Sequence, residues 1–433
     1  PGAQGKPAAA RSDTEGAEQL HIICNMPNAL RYVLLLISIF FLHSTGYCLP
    51  LQKGHVFSGI DVLQQENFES IRGKRIGLIT NHTGKDRNGK STAEILYSAP
   101  GIKLKAILTP EHGFSGSVSH GESVESSTDP ATGLPVFSLY GRINRPTPEM
   151  LRNLDALVFD IQDVGVRFYT YLATMAYAME EAAKAGIEFI VLDRPVPITG
   201  TIVEGPVKDS AIRSFVAHYE VPIRHGMTPG EIATFYNETE GLHARLTVVR
   251  MKGWQREMWF EQTGLPWIPT SPNIPGLESA ILYPGIACLE YTNLSVGRGT
   301  PIPFMWVGAP WFQPEKVLKI LADAGLKGVT FLSRDFTPVR DVYANQKCRG
   351  IELKITDRDQ IRPFQIFVHI AGALRDAQPE EFELRWERSR FLIGTQEFLE
   401  LYNRKASPRE IIRKMESSTW KFIKKRKHYL LYE

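Results

Sequence analysis

The chain has 433 residues, of which 43% are hydrophobic and 22% are charged, as is ordinary for a globular protein. This length suits two domains rather than one small core. The formal net charge of +3 gives no argument for nucleic-acid binding, and the basic run at 421–428 is more typical of the solvated face of a terminal helix.

The cysteines and the missing motifs narrow the chemistry. Cys24, Cys48, Cys288 and Cys348 form no CxxC pair or other metal-binding spacing. The sequence also lacks GxGxxG, Walker A and HExxH motifs, which argues against dinucleotide, P-loop nucleotide and zincin sites. We therefore predict no metal and no cofactor. Whether Cys288 pairs with Cys348 stays open at this point.

Residues 1–48 are predicted to be a leader with a secretory signal peptide. Arg31 precedes an apolar run at 32–42, and small residues follow the run. The run is shorter than the roughly 20 residues that span a bilayer. Tyr47 stands where a lipoprotein signal needs a small residue before Cys48, which disfavours lipidation. We predict a periplasmic or extracellular protein that contacts a membrane only through an uncleaved leader.

From 55 to 263, short apolar runs alternate with helix-like segments, as in α/β proteins with a parallel sheet. The sequence predicts a Rossmann-like, doubly wound domain with a parallel core. The predicted strands lie at 75–81, 105–109, 135–139, 157–161, 188–193 and 246–250, and the predicted helices at 91–97, 148–154, 168–184 and 229–239.

A domain boundary is predicted at 264–276, which contains four prolines. The chain beyond it mixes helix-like and strand-like segments without regular alternation. We therefore predict a second, smaller α+β domain at 277–433. Its predicted helices lie at 314–324 and 363–373, and its predicted strands at 328–332 and 351–356.

The stretch 156–171 is rich in polar residues around the end of a predicted buried strand and the start of the next helix. In open α/β sheets, ligands bind at the carboxyl ends of the strands. We predict that this stretch forms a wall of an active site. Asp163 could instead cap the helix, with an Arg–Asp pair that is structural. The candidate residues are Asp160, Gln162, Asp163, Arg167 and Tyr169.

A second candidate pair, Glu111 and His112, follows the predicted strand at 105–109. A carboxylate beside an imidazole among glycines suits general acid/base catalysis, because burial can tune the glutamate towards neutral pH. The alternative is a surface loop in which Glu111 only caps the following segment.

Arg224 and His225 precede the predicted helix at 229–239 and could bind an anionic group at its N-terminus. Thr228 and Glu231 have the spacing of a capping box and are interpreted as structural. Arg194, after the strand at 188–193, could belong to the site or pair internally.

A third group of candidates follows the prolines of the predicted boundary. Asn, Glu and Arg side chains among glycines suggest the far wall of an interdomain cleft, although a turn-rich crossover would look similar. The candidates are Asn273, Glu290, Asn293 and Arg298.

Five motifs in this order resemble one family, the exo-β-N-acetylmuramidases of glycoside hydrolase family 171. They are TPEHG at 109–113, DIQDVGVRFYTY at 160–171, LDRP at 192–195, RHGMT at 224–228 and EYTNLSVGRGT at 290–300. The resemblance runs from about residue 57 to the C-terminus. It implies a Rossmann-like domain beside a smaller domain, with the active site between them. It also implies an exo-acting enzyme that removes N-acetylmuramic acid from peptidoglycan-derived muropeptides or from the disaccharide MurNAc-GlcNAc.

On this resemblance, we expect Glu111 to act as acid/base, with Asp160 or Glu290 as the second carboxylate. Arg167, Arg224 or Arg298 would bind the lactyl carboxylate of muramic acid. Carboxyl groups about 5–5.5 Å apart would predict retention of configuration, and about 6.5–9.5 Å inversion. Alternatives are a secreted muropeptide-binding or sugar-binding protein without turnover, or an esterase or amidase on the same fold.

Overall fold

The computed structural model describes residues 55–433, so the predicted leader lies outside the described residues. Within this part of the chain, no helix is both long and apolar enough to cross a membrane. The strands of residues 55–433 are, in chain order, Arg75–Thr80 (β1), Lys103–Thr109 (β2), Ser127–Thr128 (β3), Pro135–Ser138 (β4), Ala156–Asp160 (β5), Glu188–Leu192 (β6), Glu204–Val207 (β7), Pro222–Arg224 (β8), Leu246–Val249 (β9), Trp306–Ala309 (β10), Val329–Phe336 (β11) and Cys348–Ile355 (β12).

The main sheet has seven strands in the order β3-β4-β2-β1-β5-β6-β9. All neighbours are parallel except β3 and β4. Without β3, the order is the 3-2-1-4-5-6 pattern of a Rossmann fold, and its topological switch point lies between β1 and β5. The predicted fold class is confirmed.

The helices of the described chain are Gly59–Gln65 (α1), Thr92–Ser98 (α2), Pro148–Leu151 (α3), Thr170–Ala185 (α4), Pro229–Thr239 (α5), Leu277–Ile286 (α6), Pro314–Ala322 (α7), Pro363–Ala377 (α8), Trp386–Ile393 (α9), Gln396–Asn403 (α10) and Pro408–Arg426 (α11). The predicted capping box of α5 is confirmed, since Thr228 and Glu231 each accept a hydrogen bond from the other's backbone N–H. Helix α4 ends at Gly186, which has the left-handed conformation that L side chains rarely adopt.

Alternate residues of the central strands enter different hydrophobic clusters, because successive side chains of a strand point to opposite faces. Leu78 and Val158 belong to one cluster, and Ile79 and Phe159 to the other. Both faces of the sheet are therefore covered, as expected for a doubly wound domain.

The C-terminal part contains a three-stranded antiparallel sheet, β10-β12-β11, with helices packed against it. This confirms a smaller α+β domain. The hydrophobic cluster on one face of the main sheet continues into α8 and α10, so the two parts share a core across the predicted boundary. Cys288 and Cys348 are buried free thiols and are not paired with each other.

Candidate active site

A cavity of about 530 Å³, hereafter the inner cavity, lies between residues of the main sheet's loops and residues of the C-terminal part. Of the predicted site residues it contains Glu111, His112, Tyr169, Asn273, Glu290 and Arg298. The remaining lining residues are His120, Phe168, Thr170, Val216, Ser271, Ile274, Tyr283, Tyr291, Phe304 and Leu392.

Glu111 follows the carboxyl end of β2 and is buried, with polar contacts to both carboxylate oxygens. Oε1 accepts from the backbone N–H of Gly121 at 3.1 Å and lies 2.8 Å from Nδ1 of His120. Oε2 accepts from the hydroxyl of Thr170 at 2.6 Å. Thr170 is the first residue of α4, at the helix end that favours negative charge.

Burial alone would raise the pKa of Glu111, but the hydrogen bonds and the charge of His120, together with the Thr170 hydroxyl, lower it to about 2. The carboxylate is therefore ionised at neutral pH. An ionised glutamate cannot itself donate a proton to a leaving group, so an acid role for Glu111 requires a proton held by a partner.

His120, which no sequence motif indicated, is that partner. It lies in the same loop as Glu111, and its side chain is about half exposed. The hydrogen bond to Glu111 raises the pKa of His120, while burial and the nearby positive charge of Arg298 oppose the shift. The arrangement can therefore hold a proton beside the cavity.

His112 differs from His120 in its hydrogen-bond partner and in the direction of its pKa shift. Its Nδ1 lies 2.7 Å from the carbonyl oxygen of Val118, a contact inside the loop. Burial lowers the pKa of His112, although Glu111 opposes this shift. A neutral His112 can shape the loop and donate or accept hydrogen bonds, but it does not hold a proton as readily as His120.

Glu290 and Arg298 form the other charged pair of the cavity. Nε and Nη2 of Arg298 both lie 2.6 Å from Oε1 of Glu290. Although burial opposes its charge, Glu290 raises the pKa of Arg298. Glu290 comes directly after a short 3₁₀ turn that follows α6, so the C-terminal part supplies this carboxylate while the main sheet supplies Glu111.

Tyr169 and Asn273 also line the cavity. The hydroxyl of Tyr169 donates to Oγ1 of Thr270 at 2.9 Å, which joins the start of α4 to the predicted boundary segment. Oδ1 of Asn273 is buried and has no hydrogen-bond partner among residues 55–433. It is therefore available to accept a hydrogen bond from a bound molecule.

Asp160 does not line the inner cavity, contrary to our expectation of a catalytic carboxylate. It is fully buried at the switch point of the sheet. Oδ1 accepts from Nε of Arg194 at 2.5 Å, and Oδ2 accepts from Nη2 of Arg194 at 2.9 Å and from the hydroxyl of Thr92 at 2.5 Å. This internal pair occupies the position where Rossmann folds usually bind a ligand. The alternative of a structural Arg194 is the one that the structure supports.

Gln162 and Asp163 are also outside the inner cavity. Nε2 of Gln162 donates to the carbonyl oxygens of Asp163 and Pro195 at 2.8 Å each. Asp163 accepts from the N–H of Gly165 at 2.6 Å and stabilises the turn rather than the helix end. Burial raises the pKa of Asp163 to about 7. Gly165 is required there, since its φ is +82° and a Cβ would lie 2.7 Å from Val196.

Arg167 is a structural cation rather than a residue of the inner cavity. Its guanidinium donates to the carbonyl oxygens of Pro206 and Val221, at 2.8 Å each, and to those of Leu392 and Ile393, at 2.6 and 2.9 Å. It thus ties the main domain to the end of α9. Burial lowers the pKa of Arg167 to about 10.

Arg224 and His225 are both completely buried and do not reach the inner cavity. The guanidinium of Arg224 donates to the carbonyl oxygen of Ile198, and the backbone of Arg224 lies opposite Glu204 in the β7–β8 ladder. Burial lowers the pKa of His225 to about 3. Both side chains are enclosed in the core, so the anion site before α5 stays a prediction that is separate from the inner cavity.

Asn293 stabilises the loop around it. Its Nδ2 donates to the carbonyl oxygen of Glu381 at 2.6 Å, and its Oδ1 accepts from the N–H of Glu383 at 2.9 Å. The nitrogen and the oxygen of the side-chain amide are thus both hydrogen-bonded within the protein. Asn293 lines neither the inner cavity nor the second cavity described next.

A second cavity of about 530 Å³, hereafter the outer cavity, adjoins the first. It shares His120, Glu290, Tyr291 and Arg298 with the inner cavity. Its remaining lining residues are Leu294, Ser295, Val296, Asp341 and Val342. No group of three or more His, Cys, Asp or Glu side chains suited to a metal ion occurs in residues 55–433.

The comparisons with known proteins agree with this architecture. Residues 76–278 match the family described as "Exo-beta-N-acetylmuramidase NamZ, N-terminal", and residues 281–432 match its C-terminal counterpart. The chain is 44% identical over 393 residues to the peptidoglycan beta-N-acetylmuramidase NamZ of Bacillus subtilis (strain 168), covering 88% of this chain and 92% of that protein.

Two crystal structures of DUF1343 family proteins from Bacteroides fragilis NCTC 9343 are also similar. One has a TM-score of 0.81 at 38% identity and covers 88% of this chain and 99% of its own. The other has a TM-score of 0.70 at 30% identity and covers 87% of this chain and 99% of its own. The family matches extend over most of the described residues, on both sides of the inner cavity. The chain therefore belongs to the NamZ exo-β-N-acetylmuramidase family of glycoside hydrolases.

Proposed function

We propose that the chain releases N-acetylmuramic acid from the non-reducing ends of peptidoglycan-derived fragments, such as muropeptides or MurNAc-GlcNAc. The observation that carries this proposal is the inner cavity, where Glu111 from the main domain and Glu290 from the C-terminal part line one space. Two acidic side chains beside one sugar site are the usual requirement for glycoside hydrolysis.

The preference for muramic acid rests on Arg298. The lactyl group adds a carboxylate to the sugar, and arginine suits carboxylate recognition. Of the three arginines considered from the sequence, Arg298 lines the cavity, whereas Arg167 and Arg224 are buried away from it. Arg298 is also held by Glu290. In this proposal, the arginine that binds the lactyl carboxylate therefore contacts the second catalytic carboxylate directly.

The acid/base group in this proposal is the pair of Glu111 and His120. Glu111 keeps His120 protonated, and His120 donates that proton to the glycosidic oxygen as the C–O bond breaks. The carboxylate of Glu290 offsets the positive charge that develops on the sugar. A water molecule then supplies the new hydroxyl group and returns a proton to His120.

The predicted location supports access to this substrate. A secretory leader at 1–48 would deliver the enzyme to the periplasm or the exterior, where peptidoglycan lies. We propose this location, with release of the enzyme from the leader near Leu49.

The test is hydrolysis of a chromogenic β-N-acetylmuramide and of the matching β-N-acetylglucosaminide by protein that starts near Leu49. The proposal predicts release from the muramide and little or none from the glucosaminide. Release from neither, with the muramide still raising the unfolding temperature, would favour a binding protein without turnover.

A further inference from the structure

The inner and outer cavities differ in their depth within the protein. Most residues of the inner cavity are buried, including Phe168, Ile274 and Phe304. The outer cavity is bounded by Asp341, which is exposed, and by Val342, which is 43% exposed. A molecule that fills both cavities therefore has one end enclosed and the other near solvent.

The wall between the cavities carries the reactive groups. His120 and Glu290 line both spaces. A bond that joins the occupants of the two cavities must pass beside these side chains. This is the position in which an acid can protonate the oxygen between two sugars.

We propose that the outer cavity binds the leaving group of the reaction, an uncharged sugar, and that Asp341 and Val342 determine its recognition. This inference rests on the proposed function and assigns its leaving-group site. The inner cavity, whose lining is mostly buried, then holds the terminal muramic acid.

The segment that presents these two side chains, 338–345, is held in place despite its exposure. The N–H of Asn345 donates to the carbonyl oxygen of Pro338 at 2.7 Å, which closes the segment at its base. The N–H of Val339 donates to the carbonyl oxygen of Gly299 at 3.0 Å, next to Arg298. The segment is therefore fixed to the loop that carries the cavity's arginine.

A second anchor comes from Tyr343. Its hydroxyl donates to the carbonyl oxygen of Asn293 at 2.9 Å and accepts from Nε1 of Trp311 at 3.2 Å. Asp341 and Val342 thus have defined positions and can contribute to selectivity without a large ordering penalty on binding.

The chemistry of the two side chains suits an uncharged sugar. The Asp341 carboxylate can accept hydrogen bonds from sugar hydroxyl groups. Its negative charge helps to raise the pKa of Arg298, and the same charge would repel an anionic leaving group. Val342 offers an exposed apolar surface for the C–H face of a pyranose ring.

The test compares kcat/KM for the disaccharide MurNAc-GlcNAc with kcat/KM for 4-nitrophenyl β-N-acetylmuramide, whose leaving group has no sugar hydroxyls. We expect Asp341→Ala to lower the disaccharide-to-aryl ratio by about fivefold or more, which corresponds to one lost hydrogen bond. Val339→Ala is the matched control: this residue is in the same segment, is 72% exposed and does not line the cavity. The control should keep the wild-type ratio.

An unchanged ratio in a folded Asp341→Ala variant would overturn the leaving-group assignment while leaving the muramidase activity in place. An equal loss in Val339→Ala would also overturn it, because the effect would then belong to the segment as a whole. If the wild-type protein hydrolyses neither substrate, the proposed function itself fails.

Discussion

Replacement of Glu111 by Gln removes one negative charge from the inner cavity and keeps the shape of the side chain. The lowering of the Glu111 pKa from 4.5 to about 2 means that the fold stabilises the ionised form by about 3 kcal/mol, at about 1.4 kcal/mol per tenfold change in proton affinity. Because the folded-state pKa is the lower one, this stabilisation is present above pH 4.5 and is lost as the pH falls towards 2. We expect the Gln variant to lose up to that amount near neutral pH.

Turnover should fall more clearly than stability. Without the Glu111 charge, the raised pKa of His120 returns towards its ordinary value, and the proton that we assign to catalysis is no longer held. A loss of about 10²- to 10⁴-fold in kcat/KM for the chromogenic muramide is expected, the usual contribution of an acid/base group. Urea denaturation gives the free energy of unfolding, and initial rates give kcat/KM.

Glu122→Gln is the control, because Glu122 lies in the same loop but is exposed and does not line the cavity. It should behave like the wild type in both measurements. A folded Glu111→Gln variant with near wild-type turnover would refute the assignment of Glu111, and an unchanged free energy of unfolding would refute the origin of its low pKa.

Three further predictions concern charge and burial. Wild-type activity should fall as the pH rises through the raised pKa of His120, and His120→Asn should lower kcat/KM by about 10²-fold and remove that alkaline decline. Arg194→Met leaves Asp160 buried and unpaired, so unfolding by urea should show a loss of about 3–5 kcal/mol, with kcat unchanged in the folded fraction because neither residue lines the cavity. Tyr432→Phe removes a 2.6 Å hydrogen bond to the buried Asp193 and should lower the free energy of unfolding by about 1–3 kcal/mol.

Each of these predictions has a contrary result. An alkaline decline that persists in His120→Asn would assign it to another group. An Arg194→Met protein with wild-type stability would mean that Asp160 is not dependent on its partner, and a large loss of kcat would return Asp160 to the catalytic machinery. For Tyr432→Phe, stability equal to wild type would show that the other donors to Asp193 suffice.

The main sheet could be predicted because its strands are short apolar runs separated by strong helix signals. Thr228 and Gly186 mark a helix start and a helix end by local chemistry that tertiary contacts do not override. The helix α6 was missed because it is buried from Ser279 to Ile286 and contains Pro284, so that neither periodicity nor composition indicates a helix. The basic run at 421–428 was interpreted as one face of a terminal helix, but the start of α11 at Pro408 was not predicted, although Ile411, Met415 and Phe422 have helical spacing.

The candidate site was predicted less completely. The sequence predicts Glu111 at the end of a strand and Glu290 on the far wall of a cleft, and both line the inner cavity. A polar residue near a strand end can, however, turn either to a cavity or to the core. Asp160 and Arg224 turn to the core. Asp160 pairs with Arg194 and Arg224 donates to the carbonyl oxygen of Ile198, and both contacts span sequence distances that no local pattern reveals. His120 was missed because its only local signal is its position a few residues after Glu111 in a glycine-rich loop.

The central claim is tested most directly with two disaccharides that differ only in the order of their sugars, MurNAc-GlcNAc and GlcNAc-MurNAc, with the products identified by mass spectrometry. The account predicts free N-acetylmuramic acid from the first, in which muramic acid is the non-reducing end, and no cleavage of the second. Equal cleavage of both, or cleavage of the second alone, would contradict both the muramic acid specificity of the inner cavity and the assignment of its enclosed end to the terminal sugar.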